Sequence, residues 1–385
     1  MLQTVAVEGY RSLRSLVVPL GRLTVVTGAN GSGKSSLYRV LRLLAATADG
    51  GAVRALAAEG GIRSVLWAGP EAGARGAAAE GTVRTRPVAV RIGLGGDDLG
   101  YAVDFGLPRP DRESMFHRDP EIREEVVWAG PVLRPADLLT RRSGPVVSTR
   151  EGSRWVDTGR RLARQDSMLA EVADAESAPE VLRVRDRVRG WRFYDSFRTD
   201  AGAPARRAQP GTFTPVLADD GADLASALQT LRELGHGDEL DEALDRAFPG
   251  SRVLVDDQEG LFRVLLLQAG LLRPLDSAEL SDGTLRFLLW TAALLTPRPP
   301  ELFVLNEPET SLHPDLLAPL AEMVVAAASR AQVLVVTHSA ALRTLLADRA
   351  GDLDARDVHL VKEHGETLVD GQTLLDAPLW HWPSR

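Results

Sequence analysis

Short, unbroken apolar runs of the kind that fill strands covered on both faces punctuate this chain. Leu23 to Thr27 (LTVVT) is the first, rich in β-branched side chains and without polar alternation. A glycine-rich stretch follows, and then Ser36 to Leu44, where Leu37, Val40, Leu41 and Leu44 recur at helical spacing. The order strand, turn, helix is therefore expected. Leu302 to Leu305 and Val333 to Val336 repeat the strand pattern, and an apolar helix (LRFLLWTAALL, from Leu285) precedes them.

Elsewhere the period is two. Val88, Val90, Ile92 and Leu94 alternate with other residues, as do Leu99, Tyr101, Val103 and Phe105, with Gly95-Gly96-Asp97-Asp98 between them. That pattern predicts a β-hairpin with one buried face, Tyr101 in the core. A second hairpin is expected in VHLVKEHGETLVDG, from Val358. Pro179 opens a helix with an apolar stripe of Val181, Val184, Val188 and Trp191, and Ala222 to Phe248 reads as two further helices. From Pro108 to Arg160 the text is rich in Pro, Arg, Gly and Ser, so loops and short elements are expected. There is no sustained heptad run and no internal repeat.

Composition narrows the class. With 385 residues the chain can bury two lobes, and 44% apolar with 25% charged residues is ordinary for a globular protein. The absence of cysteine excludes disulfides and thiolate metal sites. No apolar run reaches the roughly 18 residues of a membrane span. The N-terminus lacks a basic segment followed by an apolar one, so no signal peptide and a cytoplasmic location are expected. A net charge of −8 argues against a surface basic all over. Of 45 basic residues only Lys34 and Lys362 are lysines, so a retained lysine marks a place that needs an ammonium ion.

Lys34 lies in Gly28-Ala29-Asn30-Gly31-Ser32-Gly33-Lys34-Ser35, a full match to G-x-x-x-x-G-K-[ST]. Glycines let the backbone curl so that successive N–H groups face a phosphate, and the next helix presents its positive end to the same anion. In this motif Lys34 reaches the β- and γ-phosphates and the Ser35 hydroxyl ligates Mg²⁺; Ser36 completes the first turn. ATP and Mg²⁺ are the expected cofactors.

A second cluster lies downstream: Leu280-Ser281-Asp282-Gly283-Thr284, then Asn306-Glu307-Pro308-Glu309, then Thr310-Ser311-Leu312-His313-Pro314, then Thr337-His338-Ser339. This order resembles the ABC-class ATPases, especially their soluble SMC/RecF-like branch, in which a phosphate loop is followed by a signature sequence, an acidic strand end, a D-loop and a switch histidine. Glu307 lies 26 residues after Ser281 and His338 31 after Glu307, both similar to that branch, and NEPETSLHP is close to its DEPExxLHP wording. The resemblance covers both ends of the chain well and the middle loosely.

The resemblance implies an α/β fold: a P-loop NTPase, ABC-type ATPase head with an antiparallel β-layer and an inserted mainly helical lobe. Residues 1–107 and 285–385 would form the nucleotide-binding lobe, and 108–284 the inserted lobe ending in the signature motif. Carried over by position, Glu307 would orient or deprotonate the attacking water and His338 would contact the γ-phosphate. Ser281 and Gly283 would cap the γ-phosphate of ATP held by a partner subunit, with Ser311 at the same seam. Tyr10 and Arg11 are candidate base contacts. The implied partners are a second copy of the chain, joined in an ATP-dependent homodimer, and DNA or an effector protein, with no membrane partner. The 47 residues after His338 are too few for the nuclease domain of OLD-type relatives.

Two departures stand out. Asn306 replaces the aspartate expected beside Mg²⁺; its carbonyl oxygen carries no charge, so weaker metal binding and slow turnover are expected, with an inactive ATPase as the alternative. No glutamine occurs between Gln3 and Gln165, so the usual Q-loop residue is missing; the loop Gly60-Gly61-Ile62-Arg63-Ser64 is a candidate for its place. The arginines 183, 185, 187, 189, 192 and 198, interleaved with Trp191, Phe193 and Tyr194, form either a nucleic-acid surface or a solvated helix face. A transporter energy subunit and a non-hydrolysing scaffold are the competing functions; the missing glutamine speaks against the first and Asn306 for the second.

Overall fold

The computed structural model describes residues 1–69, 89–108, 115–116, 119–195, 197–373 and 376–383. The chain begins with β1 (Leu2–Tyr10), β2 (Leu13–Pro19) and β3 (Leu23–Gly28), then α1 (Lys34–Ala48), α2 (Ala52–Ala58) and α3 (Ile62–Val65). Next come β4 (Ala89–Gly96), β5 (Leu99–Gly106), β6 (Glu121–Ala129), β7 (Leu138–Ser143), β8 (Val146–Glu151), β9 (Arg154–Arg161), α4 (Met168–Glu171) and α5 (Pro179–Arg189). There follow β10 (Arg192–Tyr194), β11 (Gln209–Pro210), α6 (Leu224–Glu233), α7 (Gly237–Ala247), β12 (Arg252–Gln258), β13 (Leu261–Leu267), β14 (Leu275–Asp276) and α8 (Asp282–Leu294). The last elements are β15 (Leu302–Asn306), α9 (Leu317–Arg330), β16 (Gln332–Val336), α10 (Ala340–Arg349), β17 (Ala355–Glu363) and β18 (Glu366–Val369).

These elements make two compact units. The first comprises Met1–Gly21, Val26–Trp191 and Asp357–Arg385; the second comprises Arg22–Val25 and Arg192–Arg356. The segment 108–284, expected as one inserted lobe, is thus divided between them after Trp191.

The first unit carries an eight-stranded antiparallel sheet in the order β2-β1-β4-β5-β6-β7-β8-β9. The expected β4–β5 hairpin is present, turning at Asp97-Asp98, but it is buried on both faces rather than one. The second face carries Gly93, Ala102, Val126 and Trp128. Trp380 lies where a Gly93 side chain would be and meets Trp128 edge-on at 5.6 Å, with Trp382 in turn edge-on to Trp380 at 5.3 Å. Tyr101 is fully buried, its hydroxyl donating to Glu125 at 2.7 Å. Val88 lies outside the described residues.

Residues 119–161, expected as loops and short elements, instead form β6 to β9. Two features hide them. Arg142, next to the last residue of β7, is completely buried against Glu125 at 2.9 Å, which breaks the apolar alternation. The edge strand β9 is almost wholly exposed, so its own pattern carries no burial signal. Residues 109–114 and 117–118 lie outside the described set.

In the second unit β10, β15 and β16 run parallel, and the first residues of β3 follow, Val333 N–H donating to the Arg22 carbonyl at 2.8 Å. Helices α6 to α10 and the antiparallel β12–β13 pair share one apolar core that includes Leu228, Leu244, Phe287, Trp290, Leu320 and Val335. The two helices expected between Ala222 and Phe248 are α6 and α7. In the first unit the end of β3 lies beside β17, which forms the expected hairpin with β18. No helix of the described residues is long and apolar enough to cross a membrane.

Candidate functional site

The glycine loop belongs to the first unit. Gly28, Gly31 and Gly33 take φ values of 147°, 78° and 113°, which side chains rarely adopt. At Gly33 there is also no room, because a β-carbon would sit 2.8 Å from Thr367 Cγ2. Thr367, in β18, donates its hydroxyl to the Ser32 carbonyl at 2.7 Å. Its backbone N–H donates to the Ser12 carbonyl at 2.8 Å. Beneath the loop the Thr27 hydroxyl shares a 2.9 Å hydrogen bond with His359 Nδ1. The loop is therefore braced from the β17–β18 hairpin.

Its chemistry is that of an anion cradle. Lys34 is buried, and its Nζ donates to the carbonyls of Gly28 at 2.7 Å and Ala29 at 3.2 Å, so the ammonium already lies inside the loop. The Ser32 hydroxyl is buried with no partner. Gly33 caps α1 without a side-chain bond and no acid occupies the first turn, so the helix end retains donors and positive potential for an anion. Ala29, Asn30 and Ser35 are exposed and Ser36 is partly so. The residues present fit a triphosphate, with the Ser35 hydroxyl open to a Mg²⁺ ion. Among the described residues no group of three or more His, Asp or Glu could hold a metal alone, so phosphate oxygens would have to complete its shell.

Tyr10 and Arg11 behave differently from expectation. Tyr10 has no exposed surface; its hydroxyl donates to Glu59 at 2.7 and 2.8 Å, and burial together with that carboxylate pushes the phenol's pKa up. Arg11 pairs with the same carboxylate at 2.6 Å. A ring enclosed in the core cannot stack on a base, so Tyr10 is a structural residue. The arginines of α5 are similarly occupied: Arg183 and Arg187 pair with Asp98, Arg185 with Asp186 and Arg189 with Asp49. Trp191, Phe193 and Tyr194 are buried, so of the two readings of this segment the solvated arginine face is the one that the burial favours.

The downstream motifs come together in the second unit. Parallel β15 and β16 end side by side, and their carboxyl ends carry Asn306-Glu307 and Thr337-His338. Glu307 takes a left-handed φ of 49°, its N–H donating to the Val336 carbonyl at 2.7 Å, a strained conformation of the kind that collects at functional sites. His338 Nδ1 lies 3.7 Å from Glu307 Oε1 and 3.4 Å from Glu309 Oε1. The side chains of Glu307 and His338 are 43% and 54% exposed, open to a ligand, whereas that of Glu309 is 8% exposed.

Glu309 is the residue that sequence reasoning missed. Its Oε1 accepts the Thr337 hydroxyl at 2.5 Å and the backbone N–H groups of His338 and Ser339, both at 3.2 Å. The buried carboxylate thereby fixes the backbone on which His338 stands.

Ser281 caps α8, its Oγ accepting the Thr284 N–H at 3.1 Å, and it is exposed. Asp282 pairs with Arg206 at 2.7 Å, and Arg206 also donates to the carbonyls of Ser277, Ala278 and Leu280. A β-carbon on Gly283 would lie 3.4 Å from the Ser311 carbonyl oxygen, so the signature turn and the D-loop touch. Ser311 is exposed with φ 61°. Arg286, its pKa lowered by burial, donates to the Thr310 carbonyl at 2.8 Å and ties α8 to the same loop. Asn306 Nδ2 donates to Asp195 Oδ1 at 2.8 Å. The expected Q-loop segment Gly60–Ser64 instead leads into the short helix α3 of the first unit.

A family model described as "AAA domain, putative AbiEii toxin, Type IV TA system" matches residues 23–344. Among solved structures, an SMC head bound to the C-terminal winged-helix domain of ScpA is similar at 15% identity and TM-score 0.50, covering 97% of this chain and 98% of that one. The Smc head domain with an extended coiled coil, bound to the C-terminal domain of ScpA and derived from Pyrococcus furiosus, is similar at 13% identity and TM-score 0.50, covering 98% and 97%. No curated protein sequence matches. The likeness establishes an α/β P-loop NTPase fold of the SMC-head type, with its antiparallel β-layer.

Proposed function

For a chain that belongs to the AAA-domain family matched over residues 23–344, we propose a nucleotide-driven switch that binds Mg²⁺–ATP and hydrolyses it slowly. The observation that carries this reading is Lys34, held inside a loop whose three glycines take φ values that side chains rarely adopt. ATP, when bound, supplies the phosphoanhydride that is cleaved. Lys34 and the first-turn N–H groups of α1 would hold the phosphates, and the Ser35 hydroxyl would be the loop's ligand to the metal. Glu307 takes the proton of the attacking water or holds that water in line, and His338, on a backbone clamped by Glu309, marks the γ-phosphate.

Ser281, Gly283 and Ser311 lie on an exposed edge where signature turn and D-loop meet, which supports their use against ATP held by a second copy. The switch would then be a homodimer closed by ATP and opened by hydrolysis. What it acts on is an effector protein or DNA. The effector is the favoured partner, because the α5 arginines are engaged in ion pairs and their neighbouring aromatics are buried. The family description, with its toxin–antitoxin connection, accords with a defence setting.

Phosphate release by wild type and by Lys34→Ala tests hydrolysis, and light scattering of Glu307→Gln with Mg²⁺–ATP tests dimer closure. Glu307→Gln that binds ATP yet stays monomeric would sink the dimer reading. Equal phosphate release by wild type and Lys34→Ala would sink the ATPase.

A further inference from the structure

β10 and β15 are parallel neighbours in the register Arg192 to Phe303, Phe193 to Val304 and Tyr194 to Leu305. The next residue of each chain segment is Asp195 and Asn306, and these side chains meet at 2.8 Å. A carboxylate only accepts hydrogen bonds, so this contact fixes the amide: its nitrogen faces Asp195 and its Oδ1 turns away. Neither residue is fully buried, so the pair is not required to satisfy a group sealed in the core. It stands instead at the carboxyl ends of parallel strands, where open α/β sheets place their ligands. Glu307 and His338 follow the ends of β15 and its neighbour β16.

We propose that Asp195 supplies the anionic oxygen toward Mg²⁺ that Asn306 lacks, so that the metal's acid sits one strand across the sheet from the expected position. Asn306 is then a positioning residue, holding Asp195 with its Nδ2 and offering its Oδ1 to a metal-bound water. The two side chains together carry one negative charge, the charge that a single aspartate at 306 would carry. This accounts for an ATPase-like site without the usual aspartate, and it rests on the nucleotide reading above. Mg²⁺ commonly takes one or two carboxylates and completes its shell with phosphate oxygens and water, so one relocated acid is sufficient.

The test is a Mg²⁺ titration of binding by a fluorescent ATP analogue, in wild type, Asp195→Asn, and the exchange Asp195→Asn with Asn306→Asp. Mn²⁺ electron paramagnetic resonance in the presence of the analogue gives a second, activity-independent readout. Asp195→Asn is expected to raise the metal midpoint by about 10- to 100-fold while binding of the analogue in EDTA is unchanged. The exchange is expected to bring the midpoint back, because it restores the charge and keeps an amide–carboxylate pair. If Asp195→Asn does not fold, the exchange variant still carries the comparison with wild type.

An unchanged midpoint in Asp195→Asn overturns the inference. So does a raised midpoint that the exchange fails to recover, since that outcome makes Asp195 a packing residue. Absence of analogue binding by wild type, with or without Mg²⁺, removes the nucleotide reading itself and this inference with it. Retained binding with the same metal response in all three proteins removes the inference alone.

Discussion

Glu309 accepts the Thr337 hydroxyl at 2.5 Å, and the same carboxylate oxygen takes the N–H groups of His338 and Ser339. A buried anion thus organises a loop 28 residues away. Removing it leaves the Thr337 hydroxyl and the His338 N–H without this acceptor, while the Ser339 N–H keeps its bond to Thr337 Oγ1 at 2.9 Å. A charge-assisted bond contributes about 1.5–3 kcal/mol. Glu309→Ala is expected to lower the unfolding free energy by about 2 kcal/mol in urea titrations. Phosphate release should fall while ATP affinity, read by calorimetry, is retained. Unchanged stability would show that the carboxylate holds nothing in place.

Lys34 should be separable from folding. Among the described residues its ammonium bonds only the loop carbonyls of Gly28 and Ala29. Lys34→Ala is expected to weaken ATP binding by roughly 10- to 150-fold, the equivalent of one hydrogen bond to a charged group. The thermal midpoint should stay close to that of wild type. Calorimetry and a melting curve decide, and equal ATP affinity is the contrary result.

Gly33→Ala combines two penalties: a φ of 113° and a collision with the Thr367 side chain. Backbone strain of this kind costs about 1–3 kcal/mol. Adding Thr367→Ala, which clears both the hydroxyl and the Cγ2 methyl, should recover part of the loss relative to Thr367→Ala alone, leaving the backbone share. Chemical denaturation of the single and double variants would separate the two, and full recovery would mean that the φ is unstrained.

Much of the site was legible because its motifs are contiguous. The phosphate loop and the NEPETSLHP segment each keep their residues within a dozen positions, so residue type and order alone identify them. Glu309 was visible as a letter but not as a clamp, because its partners come from the end of the next parallel strand. Tyr10 was misread for the converse reason: its partner Glu59 lies 49 residues away, and nothing local says that the phenol is enclosed. Strands β7 and β9 escaped because a buried arginine–glutamate pair and an exposed edge both erase the two-residue rhythm. The β4–β5 hairpin was found, but its second buried face depends on Trp380, nearly three hundred residues further on.

Asp98 gives a pH signature. Arg187 holds it with two bonds, at 2.8 and 3.0 Å, and that guanidinium lowers the carboxyl pKa to about 2. A depressed carboxylate stabilises the fold above its ordinary pKa near 3.8, and the contribution is lost as pH falls through the folded value. Asp98→Asn is therefore expected to be less stable at pH 7 by at most about 1 kcal/mol, since the group is partly exposed and screened. The gap between variant and wild type should narrow from pH 4 towards pH 2 in melting curves. A gap that stays constant over that range would contradict the pairing.

The hydroxyl of Thr367 and the carbonyl of Ser32 are 335 positions apart in the sequence. During biosynthesis the glycine turn emerges from the ribosome early, while the strand that sets its shape is still untranslated. A nascent chain therefore lacks this brace until the strand 335 positions further on has been made, and contacts of such long range are slow to close. Capture of nucleotide should accordingly wait for the β17–β18 hairpin, reporting that synthesis has passed it.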